Sequence, residues 1–370
     1  ENGDFAEKVE ACGLKLIGPS SKVINLMGNK LSARGLMEES GVPVVPGCND
    51  VVHDEEQLYR IADEIGYPVL LKASAGGGGK GMRRIYKRED LVPGWELTRR
   101  EAKASFANDD IYIEKLIENP RHIEIQILAD SLGNVVYLPE RDCSIQRNNQ
   151  KIIEESPSRA NSDLLENMYQ SAVMCAKACG YEGTGTVEFI VDKYDNYYFM
   201  EMNTRIQVEY PVTEMVTGIN LIKEQIRIAS GLPLSVRQED VAANGHAIEV
   251  RVNAQNPYDD FRPSCGEISF FLPPGGLDTR FETALYQGAK ILPFYDSMMA
   301  KLIVKGSTRM DAIKKLRRAV SETIIDGVPT NLGFIYAILY DKDFILGNID
   351  TNYVAHKEAE LLESMHVTGE

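Results

Sequence analysis

Residues 201–209, EMNTRIQVE, carry a charged or amide side chain at every odd position, with Met, Thr, Ile or Val between them. In an extended chain, successive side chains point to opposite faces of the strand. The stretch therefore predicts a strand with two carboxylates, a guanidinium and two amides on one face. Those groups have the chemistry to hold a cation and a small anion together. The alternative is an ordinary solvated strand face.

The segment just upstream extends this prediction to a hairpin. Residues 184–191 and 197–203 are rich in β-branched and aromatic side chains, and the polar stretch 192–196 between them is typical of a turn. We expect an antiparallel hairpin whose centre lies near Tyr194 and Asp195.

This hairpin would bring two acidic side chains together. Glu188 would face Glu201 with a Cβ separation of about 4.5–5.5 Å, where like charges repel. Unless the pair is splayed into solvent, it needs a counter-ion or a shared proton. Two carboxylates, with Asn203 one pleat further on, suit Mg²⁺ or Mn²⁺.

Composition limits the function classes. The chain has 370 residues, which suggests two or three domains, and its net charge of −15 argues against non-specific binding to nucleic acids or membrane surfaces. No apolar run approaches the roughly 20 residues of a membrane helix. The six cysteines form no CxxC pair and no histidine cluster accompanies them, so we expect a reduced, cytoplasmic protein without a zinc site. Because the chain opens without Met in a helical pattern, we expect its natural N-terminus to lie upstream.

Periodicity and end signals predict mixed helices and strands without strict βαβ alternation, which indicates an α+β fold. The predicted helices cover residues 4–12, 20–40, 54–66, 89–106, 161–179, 213–230, 309–322 and 331–340. The predicted strands cover residues 67–74, 83–86 and, besides the hairpin, segments within 111–140 and 245–304.

A glycine-rich loop follows the strand predicted over 67–74. Residues 76–81, GGGGKG, lack the spacing of a Walker A motif, and Gly81 stands where that motif has Ser or Thr. We predict a strand–loop–strand lid whose backbone N–H groups approach a polyphosphate, the alternative being a surface hairpin without a ligand. Lys72, in the apolar strand before the loop, would then meet a phosphate, unless it extends to solvent from a strand edge.

Taken together, several ordered motifs resemble the biotin carboxylases, a branch of the ATP-grasp ligases. The matching blocks are KASAGGGGKGMR (72–83), EKLIENPRHIEIQ (114–126), ERDCSIQRNNQK (140–151), EMNTRIQVEYPVTEM (201–215), GHAIEVRVNAQNP (245–257) and PFYDSMMAKLI (293–303). The resemblance implies an ATP-grasp fold with a glycine-rich lid subdomain and a C-terminal mixed α/β biotin-carboxylase domain.

The resemblance also implies a division into four parts. Residues 1–43 would be the remnant of an N-terminal Rossmann-like domain that is mostly missing. Residues 44–116 would form the lid, 117–240 the central domain with the metal and bicarbonate site, and 241–370 the C-terminal domain.

The resemblance assigns ATP contacts and a metal site. Residues that would contact ATP are Lys30, Lys72, Gly77, Gly78, Gly79, Glu114, Lys115, Ile117, His122 and Gln146. Glu188, Glu201 and Asn203 would bind Mg²⁺ or Mn²⁺.

It also assigns the carboxylation chemistry. Lys151, Arg205, Gln207 and Val208 would hold bicarbonate, and Glu209 would be the base that removes its proton. The product would be carboxyphosphate, which breaks down to CO₂ for attack by biotin. Arg251 would stabilise the biotin enolate, and Lys151 and Arg205 would also serve catalysis.

Three positions depart from the family pattern. Asn148-Asn149 stands where many members have a basic residue and then His, Tyr210 replaces a His, and Gln255-Asn256 replaces an acidic pair. Tyr cannot replace His as a proton carrier near neutral pH, so we expect position 210 to act through packing or a hydrogen bond.

The resulting hypothesis is ATP- and bicarbonate-dependent carboxylation of biotin on a biotin carboxyl carrier protein, as part of acetyl-CoA carboxylase in fatty-acid synthesis. Carboxyltransferase subunits would be further partners, and the family often forms homodimers. Pyruvate and propionyl-CoA carboxylases use the same half-reaction. Two other hypotheses are a carbamoyl-phosphate synthetase-like or purine-pathway ligase, and a non-catalytic nucleotide-binding module lacking its N-terminal domain.

Overall fold

The computed structural model describes residues 1–74 and 81–367. Gly77, Gly78 and Gly79, the predicted phosphate-binding glycines, lie outside the described residues. The helices are α1 Gly3–Ala11, α2 Ser21–Gly28, α3 Lys30–Glu39, α4 Glu55–Ile65, α5 Leu91–Phe106, α6 Ser162–Cys179, α7 Tyr210–Thr217, α8 Leu221–Ala229, α9 Arg309–Glu322, α10 Leu332–Tyr340, α11 Lys342–Leu346 and α12 Tyr353–Val367.

The strands alternate irregularly with these helices, in agreement with the predicted α+β class. They are β1 Val69–Ala73, β2 Met82–Ile85, β3 Ile111–Lys115, β4 Arg121–Ala129, β5 Val135–Tyr137, β6 Arg141–Arg147, β7 Gln150–Ser156, β8 Gly183–Val191, β9 Tyr197–Asn203, β10 His246–Asn253, β11 Gln255–Asn256, β12 Arg262–Pro263, β13 Gly266–Glu267, β14 Phe270–Leu272, β15 Thr279–Thr283, β16 Lys290–Ile291, β17 Met298–Gly306 and β18 Ile324–Asp326.

Helix ends follow local capping signals. The Asp54 carboxylate accepts a hydrogen bond from the Gln57 N–H at 2.8 Å and begins α4, and Gly66 ends it at a φ of 75°. Asn161 caps α6 in the same way, with a 2.8 Å bond from the Leu164 N–H. These two helices were predicted correctly.

Two helix predictions were wrong, and two helices after residue 340 were not predicted. The helix predicted over 20–40 is broken at Asn29, whose side chain instead begins a second helix by accepting from the Ser32 N–H at 2.9 Å. The helix predicted over 213–230 begins earlier, at Tyr210, and is broken at Gly218, which adopts a φ of 76°. The fold also continues past 340, because Asp341 caps α11 and α12 follows.

The chain divides into two compact units. The first comprises Glu1–Leu138, Ala160–Gln207 and Asn220–Asp240, and the second comprises Pro139–Arg159, Val208–Ile219 and the described chain from Val241 onward. The four linear domains remain a prediction, and the compact units do not follow their boundaries.

The first unit contains two groups of antiparallel strands. The order β2-β1-β3 forms a small sheet that packs with α4 and α5 around Leu58, Leu71 and Trp95. The strands β5-β4-β8-β9 pack against α2, α3 and α6. Because one face of β8 and β9 is buried against these helices, their polar side chains have to lie on the opposite face.

The second unit contains the antiparallel strands β6-β7-β10-β17-β15. One face packs on α9, α10 and α12 around Val250, Leu302 and Phe334. On the other face, α7 packs against β10 and β17 through Val212 and Val216. Among the described residues, no helix combines the length and apolar character that crossing a membrane requires.

Candidate active site

The predicted hairpin is present, and Glu188 faces Glu201 as expected. The backbone N–H of Asp192 donates to the carbonyl of Asn196, which centres the turn on Tyr194. The strands pair Phe189 with Phe199, and a β-bulge then shifts the register by one residue before Glu188. In a regular ladder Glu188 would pair with Met200, so the facing of the two glutamates depends on this bulge.

The Glu188 carboxylate is the centre of a polar group, which we call the acidic cluster: the buried residues Glu188, Asn203, Gln207 and His122 with the half-buried Glu201. Oε1 of Glu188 accepts from Asn203 Nδ2 at 2.9 Å and from Gln207 Nε2 at 2.6 Å. Nε2 of His122 lies 3.2 Å from Oε2. The predicted metal ligands Glu188 and Asn203 are thus brought into contact.

The charge of this cluster favours a cation. Burial, followed by the charge of Glu188, raises the pKa of Glu201, and Lys30 opposes the shift from 3.9 Å. Carboxylate and amide oxygens are the donors that Mg²⁺ and Mn²⁺ prefer, so the residues present fit such an ion.

One member of this neighbourhood was missed from the sequence. Glu124 is buried, and its carboxylate, that of Glu188 and the ring of His122 offer ligand atoms within 4.8 Å of one another. The alternation of β4, which puts positions 122 and 124 on one face, was the available signal.

Lys72 has a protein counter-ion. Its ammonium is buried and donates to the Glu114 carboxylate at 2.9 Å, with Arg34 4.0 Å from the other oxygen of that carboxylate. Burial opposes the charge of Lys72, yet Glu114 holds its pKa above the ordinary value. The alternative in which Lys72 extends to solvent is wrong, and its anion here is a carboxylate.

Other predicted nucleotide contacts have structural partners as well. The ammonium of Lys115 donates to the carbonyls of Gly66 and Tyr67, at 2.9 and 3.0 Å. Ile117 is half-buried in the loop after β3. The role of both residues in binding adenine stays a prediction.

The extended strand predicted over 201–209 is wrong beyond Asn203, where β9 ends. Arg205 is half-exposed and donates to the Glu1 carboxylate at 2.8 Å, whereas Gln207 is buried. Glu209 adopts a φ of −84° and a ψ of 5°, as the residue before α7. Pro211 favours this helix start because its fixed φ suits the first turn.

The second unit holds a compact ion-pair cluster, formed by Lys151, Glu154, Glu209 and Arg251. Lys151 Nζ donates to Glu209 Oε1 at 2.5 Å, and Arg251 Nη2 donates to Glu209 Oε2 at 2.9 Å. Arg251 Nε donates to Glu154 Oε1 at 2.6 Å. Lys151, Glu209 and Arg251, predicted at separate points of the chain, are therefore brought together.

The Glu209 carboxylate is held ionised. It is 2% exposed and lies at the N-terminus of α7, where negative charge is favoured. Burial opposes its charge, but Lys151 and Arg251 outweigh this effect and keep its pKa well below the ordinary range. The two cations keep this carboxylate in its proton-accepting form, while they also lower its affinity for a proton.

Backbone and ring contacts surround this carboxylate. Lys301 donates to the carbonyl of Val208 at 2.8 Å and lies 4.7 Å from the ring centroid of Tyr210. The Tyr210 hydroxyl accepts from Arg280 at 3.2 Å. Position 210 thus makes packing contacts and a hydrogen bond, the kinds of contact expected there. No sequence pattern had indicated Lys301 or Arg280.

Gln146 also belongs to this unit. It faces Lys151 across β6 and β7, and its side-chain amide donates to the carbonyl of Cys143 at 2.7 Å. Its predicted contact with the nucleotide remains a prediction.

Family models match most of the chain. Residues 29–237 match the Carbamoyl-phosphate synthase L chain, ATP binding domain, and residues 249–356 match the Biotin carboxylase C-terminal domain. Biotin carboxylase 1 of Bacillus subtilis is 52% identical over 96% of this chain and 79% of its own length. A pyruvate carboxylase subunit of Methanothermobacter thermautotrophicus is 49% identical over 96% of this chain and 72% of its own.

A solved structure agrees with these matches. The biotin carboxylase domain dimer of Hydrogenobacter thermophilus 2-oxoglutarate carboxylase, in complex with MgADP, ADP and bicarbonate, superposes with a TM-score of 0.94. It is 47% identical and covers 97% of this chain and 80% of that one. The chain therefore has the ATP-grasp fold and belongs to the biotin carboxylase family of ATP-dependent ligases.

Proposed function

We propose that the chain catalyses ATP- and bicarbonate-dependent carboxylation of biotin carried on a biotin carboxyl carrier protein. The observation that carries this proposal is the Lys151–Glu209–Arg251 arrangement, in which one buried carboxylate is held between two half-buried cations. It has the groups that an oxyanion substrate needs, a base and compensating positive charge.

The first unit would bind the nucleotide. Lys30 and Lys72 supply positive charge for phosphates, and Glu188, Glu201 and Asn203 would hold Mg²⁺ or Mn²⁺. The ion, when bound, would neutralise phosphate charge. To contact a phosphate, the Lys72 ammonium has to donate to the phosphate and to Glu114 at the same time. This is possible because an ammonium has three N–H donors.

The first chemical step begins at Glu209. Its carboxylate takes the proton of bicarbonate, which Lys151, Arg205, Gln207 and the Val208 backbone would hold. The resulting carbonate forms a bond to the γ-phosphorus of ATP while the bond between that phosphorus and the leaving oxygen of ADP breaks. The products are ADP and carboxyphosphate.

The second step carboxylates biotin. Carboxyphosphate breaks into CO₂ and phosphate, and the phosphate takes the N1′ proton of biotin. The electron pair left on the ureido group attacks the carbon of CO₂. Arg251 would stabilise the developing negative charge on the ureido oxygen, since a guanidinium remains charged throughout.

The experiment is ADP release from ATP, with bicarbonate and with free biotin present or omitted. The variant Glu209→Gln should lower bicarbonate-dependent ADP release by about 10²–10⁴-fold, the range for loss of a general base. The matched control is Glu358→Gln, an ion-paired glutamate of the same unit that contacts Arg147. Absence of bicarbonate-dependent ADP release from the full-length protein, or an equal loss in both variants, would overturn the proposal.

For the metabolic role we propose the acetyl-CoA carboxylase of fatty-acid synthesis, with carboxyltransferase subunits as partners in a cytoplasmic complex. A role in pyruvate carboxylation is the second candidate, because the identity to the pyruvate carboxylase relative is nearly as high, 49% against 52%. Carboxyl transfer to purified carrier proteins of each type distinguishes them. Preference for the pyruvate carboxylase carrier would overturn the first assignment.

We also propose a homodimer, which the dimeric state of the related 2-oxoglutarate carboxylase domain supports. Sedimentation of the purified full-length protein at micromolar concentration tests it. A monomer over the whole concentration range would contradict it.

A further inference from the structure

A second carboxylate, Glu154, also contacts Arg251, with its Oε1 lying 2.6 Å from both Nε and Nη2 of the guanidinium. Glu154 on β7 is fully buried, and its Oε1 accepts from Arg251 Nε at 2.6 Å while Glu209 accepts from Nη2. One guanidinium is thus shared between two carboxylates that come from different elements. Only Glu209 has a proton-accepting role in the reaction proposed above.

A third carboxylate lies directly across the sheet. Glu249 on β10 pairs with Glu154 in the register of β7 and β10, and Arg251 lies two residues further along the same face. Glu249 is 0% exposed. Neither of its oxygens, nor Oε2 of Glu154, has a hydrogen-bond partner among residues 1–74 and 81–367.

Two buried carboxylates at such a position cannot both be ionised without cost. Burial, followed by the charge of Glu154, raises the pKa of Glu249 well above its ordinary value. Burial also raises the pKa of Glu154 to about 7, against the opposing charge of Arg251. Glu249 is therefore the neutral partner, and Glu154 changes charge near neutral pH.

The charged groups around this pair come from four elements. They are Arg251 on β10, Lys151 on β7, Lys301 on β17 and Glu209 before α7, and Arg141 on β6 acts in turn on Glu209. Lys301 is already bonded to Glu282 at 2.7 Å and Arg141 to the Thr213 hydroxyl at 3.0 Å. Arg251 is the cation that bonds Glu154 directly.

The contact between Glu154 and Arg251 becomes important when Glu209 receives a proton. Glu209 then no longer offers a full negative charge to Arg251, whose half-buried guanidinium needs a counter-charge from another group. We propose that Glu154 is the positioning residue that keeps Arg251 in place while Glu209 holds the proton. This inference rests on the proposed function, because it assigns Arg251 to the biotin step.

The test compares two isosteric variants in the full-length protein, Glu154→Gln and Glu249→Gln. Glu249→Gln keeps a neutral side chain of the same size, so biotin carboxylation should stay within about threefold of wild type. Glu154→Gln removes the anchor, and its kcat for biotin carboxylation should fall about a hundredfold, as for a misplaced catalytic group. Bicarbonate-dependent ADP release without biotin should change much less, because Lys151 and Glu209 are untouched.

The pH dependence of kcat for biotin carboxylation distinguishes a positioning role of Glu154 from a purely structural one, because a structural role would leave this dependence unchanged. Ionised Glu154 anchors Arg251, so the kcat for biotin carboxylation in the wild type should rise with pH through about 7. Glu154→Gln should lose this rise and Glu249→Gln should retain it. If Glu154→Gln does not fold, Glu154→Asp keeps the charge one methylene shorter, and should show an intermediate rate with the rise preserved.

Three results would overturn the inference. The first is that Glu154→Gln leaves the ratio of biotin carboxylation to biotin-independent ADP release unchanged. The second is that the wild-type kcat for biotin carboxylation does not rise near pH 7. The third is that Glu249→Gln loses as much biotin carboxylation as Glu154→Gln. Each is read against an active wild type. A wild type without bicarbonate-dependent ADP release would instead refute the proposed function.

Discussion

Both polar clusters contain buried carboxylates, but the groups that contact these carboxylates differ between the clusters. In the ion-pair cluster, Glu154 and Glu209 are matched by the cations Lys151 and Arg251, each within 2.9 Å of a carboxylate oxygen. In the acidic cluster, Glu188 is bonded by neutral amides, from Asn203 and Gln207.

The difference indicates which cluster depends on an added ion. The ammonium of Lys30 lies 3.9 Å from the Glu201 carboxylate, which is too far for a hydrogen bond. The ion-pair cluster is balanced, with two carboxylates and two cations in direct contact, whereas in the acidic cluster the contact between Glu201 and Lys30 is longer. We expect that removing a charge from the ion-pair cluster will destabilise the protein. Removing a carboxylate charge from the acidic cluster should instead relieve the repulsion between Glu188 and Glu201.

The largest effect should follow from breaking the balanced cluster. Arg251→Met leaves two buried carboxylates without their shared cation, and should lower the free energy of unfolding by about 3–5 kcal/mol. Urea unfolding at pH 7.5 measures this loss. The control is Arg318→Met, which removes an exposed partner of Glu322 and should cost less than about 1 kcal/mol. Similar losses in the two variants would contradict the comparison.

Two neighbours on β7 should respond oppositely to pH. His246 and Arg309 lower the pKa of Glu155 to about 2 although burial opposes this shift, and burial raises that of Glu154 to about 7. Glu155 should therefore add about 3 kcal/mol of stability above its unfolded pKa, lost as pH falls from about 4.5 to 2. Glu154 retains its proton to higher pH in the folded state, so its contribution to stability should fall between pH 4.5 and 7.

Chemical unfolding from pH 3 to 8 checks both signs. Glu155→Gln should be less stable than wild type at pH 7 and show a flatter acid limb, whereas Glu154→Gln should lose the decline between pH 4.5 and 7. Parallel stability curves for the wild type and both variants would refute the assigned charges.

An intermediate effect is expected in the acidic cluster. Without divalent ions, Glu201→Gln should leave stability unchanged or raise it, because it removes repulsion from Glu188. Mg²⁺ at a hundredfold excess over its dissociation constant should stabilise the wild type by about 2.7 kcal/mol and the variant by much less. Thermal unfolding with and without MgCl₂ measures this, and Glu182→Gln, whose partner is Lys15, is the control. An equal Mg²⁺ response in all three proteins would remove Glu201 from the metal site.

The smallest effect should come from Tyr210→Phe. The ring keeps its contacts with Lys301 and Arg280, and only the hydroxyl bond from Arg280 at 3.2 Å is lost. We expect a loss of about 0.5–1.5 kcal/mol in stability and an unchanged pH profile of ADP release. A new ionisation or a lost one in that profile would mean that Tyr210 takes part in proton transfer.

The sequence predicted the elements that carry strong local signals. The capped helix α4 and the facing pair Glu188–Glu201 were correct, and the motifs indicated the family. The alternation of polar and apolar residues wrongly predicted a strand at residues 204–209. The backbone of Glu209 is determined instead by the start of α7, which Pro211 favours. The bulge at Met200 had no sequence signal, although the facing pair depends on it.

By itself, the sequence determined which chemical groups are available and in which local conformations most of them lie, because caps, turns and hydrophobic periods act over a few residues. Only the tertiary structure decided which charges meet. The carboxylate of Glu114 became the counter-ion of Lys72, and Glu154 became the second partner of Arg251, through strand pairings between distant segments. The physical reason is that the free energy of a buried charge depends on neighbours that the folded backbone supplies, and their sequence separation carries no information about that contact.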